Sequence, residues 1–122
     1  MKKIILFIFL TAIISCKSKE ENTEVAADET AVKISGQELF EGKGNCTACH
    51  QTDQKIIGPS LQEIAKIYKE KNGNIVSFLK EESEPIIDPS QYEIMKTNLV
   101  ITKSMSDEEL KALEEYIYSF SK

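Results

Sequence analysis

The run Cys46-Thr47-Ala48-Cys49-His50 constrains this chain more than any other feature: two cysteines three residues apart, followed at once by the only histidine among 122 residues. One further cysteine, Cys16, lies near the start of the chain. The stretch that reads as a folded unit, residues 34–122, is small. A domain of fewer than about 100 residues buries only roughly 60% of the surface its unfolded chain exposes. Folds of that size lean on disulfides, a metal or a cofactor, so a staple is expected here.

The spacing lets two thiols add across the two vinyl groups on one haem edge, after which the adjacent histidine turns its imidazole toward the iron. Cys-x-x-Cys-His is an attachment signature for c-type haem. Three other chemistries compete. A structural zinc site needs four ligands. With Cys16 taken by lipid, as argued next, Cys46, Cys49 and His50 are the only cysteine or histidine donors left, and their crowding makes tetrahedral closure awkward. A thioredoxin-like dithiol needs a preceding strand and a βαβ context, whereas a helix is read before Cys46. An inert disulfide in an exported protein, with His50 incidental, is the third. Haem attachment is expected ahead of these.

Residues 1–15 have the grammar of a lipoprotein signal peptide. Lys2 and Lys3 precede an apolar run from Ile4 to Ile14 that is too short to span a bilayer but suits an export signal. The run ends in Ile13-Ile14-Ser15-Cys16, which resembles the bacterial lipobox; an ordinary signal peptide with an incidental cysteine is the alternative. Cys16 is thus the expected lipidation site and new N-terminus. Two or three acyl chains anchor a protein firmly, at about 0.8 kcal/mol per buried methylene. Residues 16–33 read as a lipidated flexible tether, because dense charge and few large apolar side chains leave nothing to offset the entropy of ordering. Lys19-Glu20-Glu21 resembles a signal that sends some bacterial lipoproteins to the cell surface, beside its plainer reading as a charged linker. The expectation is an exported protein, lipid-anchored to a bacterial membrane on the periplasmic face or the cell surface.

Within residues 34–122, Ser35 with Glu38, Ser60 with Glu63 and Ser106 with Glu109 repeat the serine-to-glutamate spacing of a capping box. The first predicts a helix from about Gly36 to Gly42, with Ile34 and Leu39 as a hydrophobic staple. The second predicts a helix over Ser60–Lys71 that stops at Asn72-Gly73. The third predicts a final helix with Leu110, Leu113, Tyr116, Ile117 and Phe120 on one side and acids in its first turn, where the helix dipole favours them. Asn74 is read as the cap of a further short helix that closes before Pro85. No alternating strand is evident, and the predicted fold is all-α, four to five short helices around one covalently bound haem.

In order, Gly36 and Phe40, Cys46-Thr47-Ala48-Cys49-His50, Gly58-Pro59-Ser60-Leu61, a methionine near residue 95, and Leu110 to Tyr116 resemble a class I cytochrome c of the short bacterial monohaem type, over residues 34–122. The resemblance implies that the first and last helices cross, with Gly36 permitting close approach and Phe40 packing near Tyr116. It also implies that the Pro59 carbonyl accepts the N–H of His50, a bond that fixes the tautomer and raises ligand basicity. Pro59 reads equally as a loop stop before the Ser60 cap.

The same resemblance implies a methionine sulfur on the iron opposite His50, a pairing that raises the reduction potential. Met1 leaves with the signal, so the choice lies between Met95 and Met105. Met105 precedes the Ser106 cap and stands five residues before Leu110, the placement of a staple. Met95 lies between the Asp88-Pro89-Ser90 turn and Asn98-Leu99 in a stretch without helical period, and is the expected ligand. Many family members flank that methionine with proline, whereas Lys96 follows it here. Ile56, Ile57, Leu61, Tyr68, Leu79, Ile94 and Leu99 are expected around the haem, though ordinary core packing predicts the same identities. Tyr68 or Tyr92 is a candidate to bond a propionate, a buried ring with a wet hydroxyl being the commoner arrangement.

The formal charge is −5 and arginine is absent. Counterion release needs a basic surface, so no nucleic-acid partner is expected. The expected function is a membrane-anchored electron carrier between respiratory redox proteins, not an enzyme, with no small-molecule substrate. The alternative is a haem-based gas sensor or haem enzyme subunit with a weak or absent sixth ligand. The chain offers that alternative no second histidine and no arginine.

Overall fold

The computed structural model describes residues 34–122; the signal at 1–15, Cys16 and the tether at 16–33 lie outside the described residues. Serine caps set three of the five helices. Ser35 opens α1 (Gly36–Glu41) with a complete capping box, in which its hydroxyl accepts the Glu38 N–H and the Glu38 carboxylate returns to the Ser35 N–H. Ser106 does the same with Glu109 for α5 (Asp107–Tyr118). Ser60 caps α2 (Leu61–Glu70) by accepting the Glu63 N–H. The next two free donors of α2, the N–H groups of Leu61 and Gln62, bond the Gln51 and Thr52 carbonyls instead. Helix starts leave such donors unpaired, and here they pin the loop after the cysteines to α2.

The predicted stop at Asn72-Gly73 holds for a definite reason. Asn72 sits at φ 50, the Gly73 N–H bonds the Tyr68 carbonyl and the Asn72 N–H bonds that of Lys69. That is a Schellman termination, with asparagine in the left-handed position. Asn74 then caps α3 (Ile75–Leu79), its side chain accepting the Ser77 N–H at 2.7 Å.

Two expectations need correction. Ile34 is 43% exposed and is no staple for α1. The stretch around Met95, read as lacking helical period, forms α4 (Tyr92–Thr102) after a 3-10 turn at Pro89–Gln91. Its apolar residues Tyr92, Ile94, Met95, Leu99, Val100 and Ile101 leave no single stripe. No side-chain cap marks its start, so both of the usual signals are missing.

The fold is all-α; among the described residues the only β feature is an isolated antiparallel bridge between His50 and Lys55. The first and last helices cross as the resemblance implied. A Cβ on Gly36 would lie 2.0 Å from the Ala112 carbonyl oxygen, and the Phe40 and Tyr116 rings pack at 5.5 Å. Leu39, Leu61, Leu99, Leu110 and Leu113 are buried around that crossing. The buried Thr102 hydroxyl donates to the Leu79 carbonyl at 2.7 Å, joining α4 to the end of α3. Thr102→Val keeps the shape but strands that carbonyl, and should lower stability by about 1–2 kcal/mol. An unchanged denaturant midpoint would remove the bond from this account.

Candidate haem-binding site

The cysteine motif sits on a single tight turn. Asn45 enters it in the left-handed conformation at φ 49, and a 3-10 turn at Cys46–Ala48 follows. The N–H groups of Cys49 and His50 both bond the Cys46 carbonyl, at 3.1 and 2.9 Å. Residues three and four apart in such a turn share a face, so Cys46, Cys49 and His50 line the same cavity. The loop from Gln51 to Pro59 folds back over the motif, the Gly58 N–H bonding the Cys49 carbonyl at 2.8 Å.

His50 Nδ1 lies 2.7 Å from the Pro59 carbonyl oxygen. That oxygen only accepts, so Nδ1 carries the hydrogen and Nε2 keeps its lone pair. Burial pulls the imidazole below the ordinary histidine range, against the opposing pull of the Pro59 bond, and a neutral ring is the ligating form. Gly58 makes the fit possible: a Cβ there would sit 2.4 Å from His50 Cε1. Cys46 and Cys49 form no disulfide with each other. Burial, with Cys49 adding to it, pushes the Cys46 thiol up to about 11. No group of three or more His, Cys, Asp or Glu side chains among the described residues is arranged to hold a metal ion.

The cavity is a cleft whose empty space, counted with the open solvent at its mouth, is about 950 Å³. Its walls come from the motif, from α2 and α3 through Tyr68 and Leu79, from the Pro85–Asp88 segment, and from α4. Met95 of α4 is in the lining. Met105 is not; it is buried in the core with its methyl beside Gly44. Of the other apolar residues expected around the haem, Ile57, Tyr68, Leu79 and Ile94 line the cavity. Leu61 and Leu99 belong to the helix core instead, and Ile56 is exposed. Tyr92 lines the cavity too, its hydroxyl 3.4 Å from a Glu81 carboxylate oxygen.

One contact carries no signal in the sequence. The Asn98 amide donates to the Gly44 carbonyl at 2.9 Å, tying α4 to the loop that enters the cysteine motif. Asn98 stands one helical turn after Met95.

Two thiols, a neutral imidazole with one nitrogen free, and a thioether in one apolar cavity fit a covalently attached haem. The glycine that clears the imidazole face fits it too. Comparison with known proteins agrees. Residues 34–121 match the family described as cytochrome c, and the chain belongs to that family. It is 34% identical over 85 residues to a cytochrome c-551 of Pseudomonas denitrificans, a match covering 67% of this chain and 93% of that protein. It is 50% identical over 30 residues to a cytochrome c-552 of Nitrosomonas europaea, covering 25% of this chain and 29% of the relative. It is 45% identical over 38 residues to a cytochrome c-551 of Azotobacter vinelandii, covering 31% and 45%. The matched stretches therefore span less than half the length of these last two relatives. The cofactor that membership entails is haem c, with its iron, bound covalently.

Proposed function

We infer that this protein is a monohaem electron carrier, held at a bacterial membrane by a lipid on Cys16 and passing electrons between respiratory redox proteins. The observation that carries the reading is the convergence of Cys46, Cys49, His50 and Met95 on one cavity. Cys46 and Cys49 hold the haem through thioether bonds. His50 ligates the iron through Nε2, with Pro59 fixing the ring and its tautomer by the bond to Nδ1. Met95 supplies the sixth ligand. The iron contributes a one-electron couple between Fe(II) and Fe(III), and the protein tunes it through ligand identity and an apolar pocket.

The cavity lining is largely apolar, and Ile57 and Ile94 within it are half-exposed. A contact there suits the small, weak encounters of redox partners. The tether raises local concentration beside membrane-bound donors and acceptors without fixing one orientation. No residue is assigned to acid-base or nucleophilic work, and the protein is read as a carrier, not an enzyme.

The methionine is the part most open to experiment. In haem-loaded protein, Met95→Ala should abolish the weak long-wavelength ferric band of sulfur ligation and lower the reduction potential, since a methionine ligand raises it. Met105→Ala should keep that band while costing about 2–5 kcal/mol of stability as a core truncation. The opposite pattern would move the ligand to Met105. Rapid carbon monoxide binding by the native reduced protein would favour an open sixth position and the gas-sensor reading.

A further inference from the structure

The segment from Glu81 to Gln91 links α3 to α4 and forms one cavity wall through Pro85, Ile86, Ile87 and Asp88. Apart from the 3-10 turn at its end it has no regular structure. Lysines from three other elements hold it. Lys103 at the end of α4 pairs with Glu81 at 2.6 Å. Lys71 at the end of α2 donates to the Ile86 carbonyl at 2.8 Å. Lys55 pairs with Asp88 at 2.9 Å.

The third tether differs in what it joins. The Lys55 backbone is bridged to His50, and two and three residues further on Ile57 and Gly58 line the cavity. Its side chain therefore runs from the wall that carries His50 to the wall that leads into Met95. Asp88 is prepared to receive it: the Ser90 hydroxyl donates to Oδ1 at 2.5 Å, which leaves Oδ2 for Lys55. The carboxylate is thus held in place by its own turn.

We propose that the Lys55–Asp88 ion pair is a strut between the two walls bearing the iron ligands, limiting the opening of the cavity to exogenous ligands. Lys55 and Asp88 are positioning residues, acting through His50 on one side and the approach to Met95 on the other. The ligand-entry half of this proposal rests on the haem reading above; the coupling of the two walls does not. An exposed ion pair is also screened by salt, so the restraint should weaken as ionic strength rises.

The test uses full-length haem-loaded protein as wild type, Lys55→Gln and Lys55→Arg. Two rates are read: amide hydrogen exchange across Ile86–Gln91, and imidazole uptake by the ferric protein followed by absorbance. Lys55→Gln should speed both by about two- to fivefold, the range an exposed pair supplies. Lys55→Arg should match wild type. High sodium chloride should bring wild type up to the Lys55→Gln rates while leaving Lys55→Gln itself unmoved. Equal rates in wild type and Lys55→Gln, or an arginine variant as fast as the glutamine one, would overturn the strut. Colourless protein would sink the haem reading alone, and hydrogen exchange would still decide whether the walls are coupled.

Discussion

Gly58→Ala should damage this protein more than its size suggests, costing about 2–4 kcal/mol and disturbing the haem spectrum at the same time. The added Cβ would stand 2.4 Å from His50 Cε1 and 2.8 Å from Nδ1. Neither atom belongs to a flexible side-chain tip, because the ring is held at the Pro59 carbonyl. The imidazole must tilt away, breaking that bond, or the loop must lift and break the Gly58–Cys49 backbone bond. Overpacking costs about 1–3 kcal/mol, and a lost hydrogen bond adds about 1 kcal/mol. Denaturant unfolding of the haem-loaded variant, with its absorbance spectrum, checks both parts. An unchanged midpoint with an unchanged spectrum would show that Gly58 does not seat the histidine.

The second large effect lies at the helix crossing. Gly36→Ala places a Cβ 2.0 Å from the Ala112 oxygen and 2.6 Å from Tyr116 Cβ. The nearest atom is α5 backbone, so relief requires the two helices to part, which also loosens the Phe40–Tyr116 contact. Phe40 lines the haem cavity as well, so the damage reaches the site. The expected cost is about 3 kcal/mol, the upper part of the overpacking range. In a domain of this size that lowers Tm on the order of 15 °C. A melting curve within a few degrees of wild type would mean that the crossing tolerates separation.

Local chemistry was legible in the sequence and distant contacts were not. Ser35, Ser60, Asn74 and Ser106 each announce a helix because capping acts over three residues. The cysteine turn is equally local. Helix α4 is not legible because it is apolar on several sides and so carries no stripe, and because it starts from a proline turn without a side-chain cap. The spacing of Ser60 and Glu63 predicts a full capping box, but only the Ser60 half forms, and the Leu61 and Gln62 donors bond the distant Gln51 and Thr52 carbonyls. Asn98 on Gly44 and Lys55 on Asp88 join residues 54 and 33 positions apart, beyond any periodicity. Gly73 read as a helix stop. Its lack of a side chain also makes room for the Tyr68 ring, 2.7 Å from where a Cβ would be. Leu61 and Leu99, expected at the haem, are core leucines because apolar identity alone does not say which side of a wall a residue faces.

The claim on which the rest depends is covalent haem at the cysteine turn, and intact-protein mass measured on material from a strain competent in haem attachment tests it directly. The expected product is a coloured protein heavier than its polypeptide by one haem, with the Cys46→Ser/Cys49→Ser double variant losing the covalent addition. A colourless protein at the polypeptide mass, with both thiols free to alkylate, would contradict it.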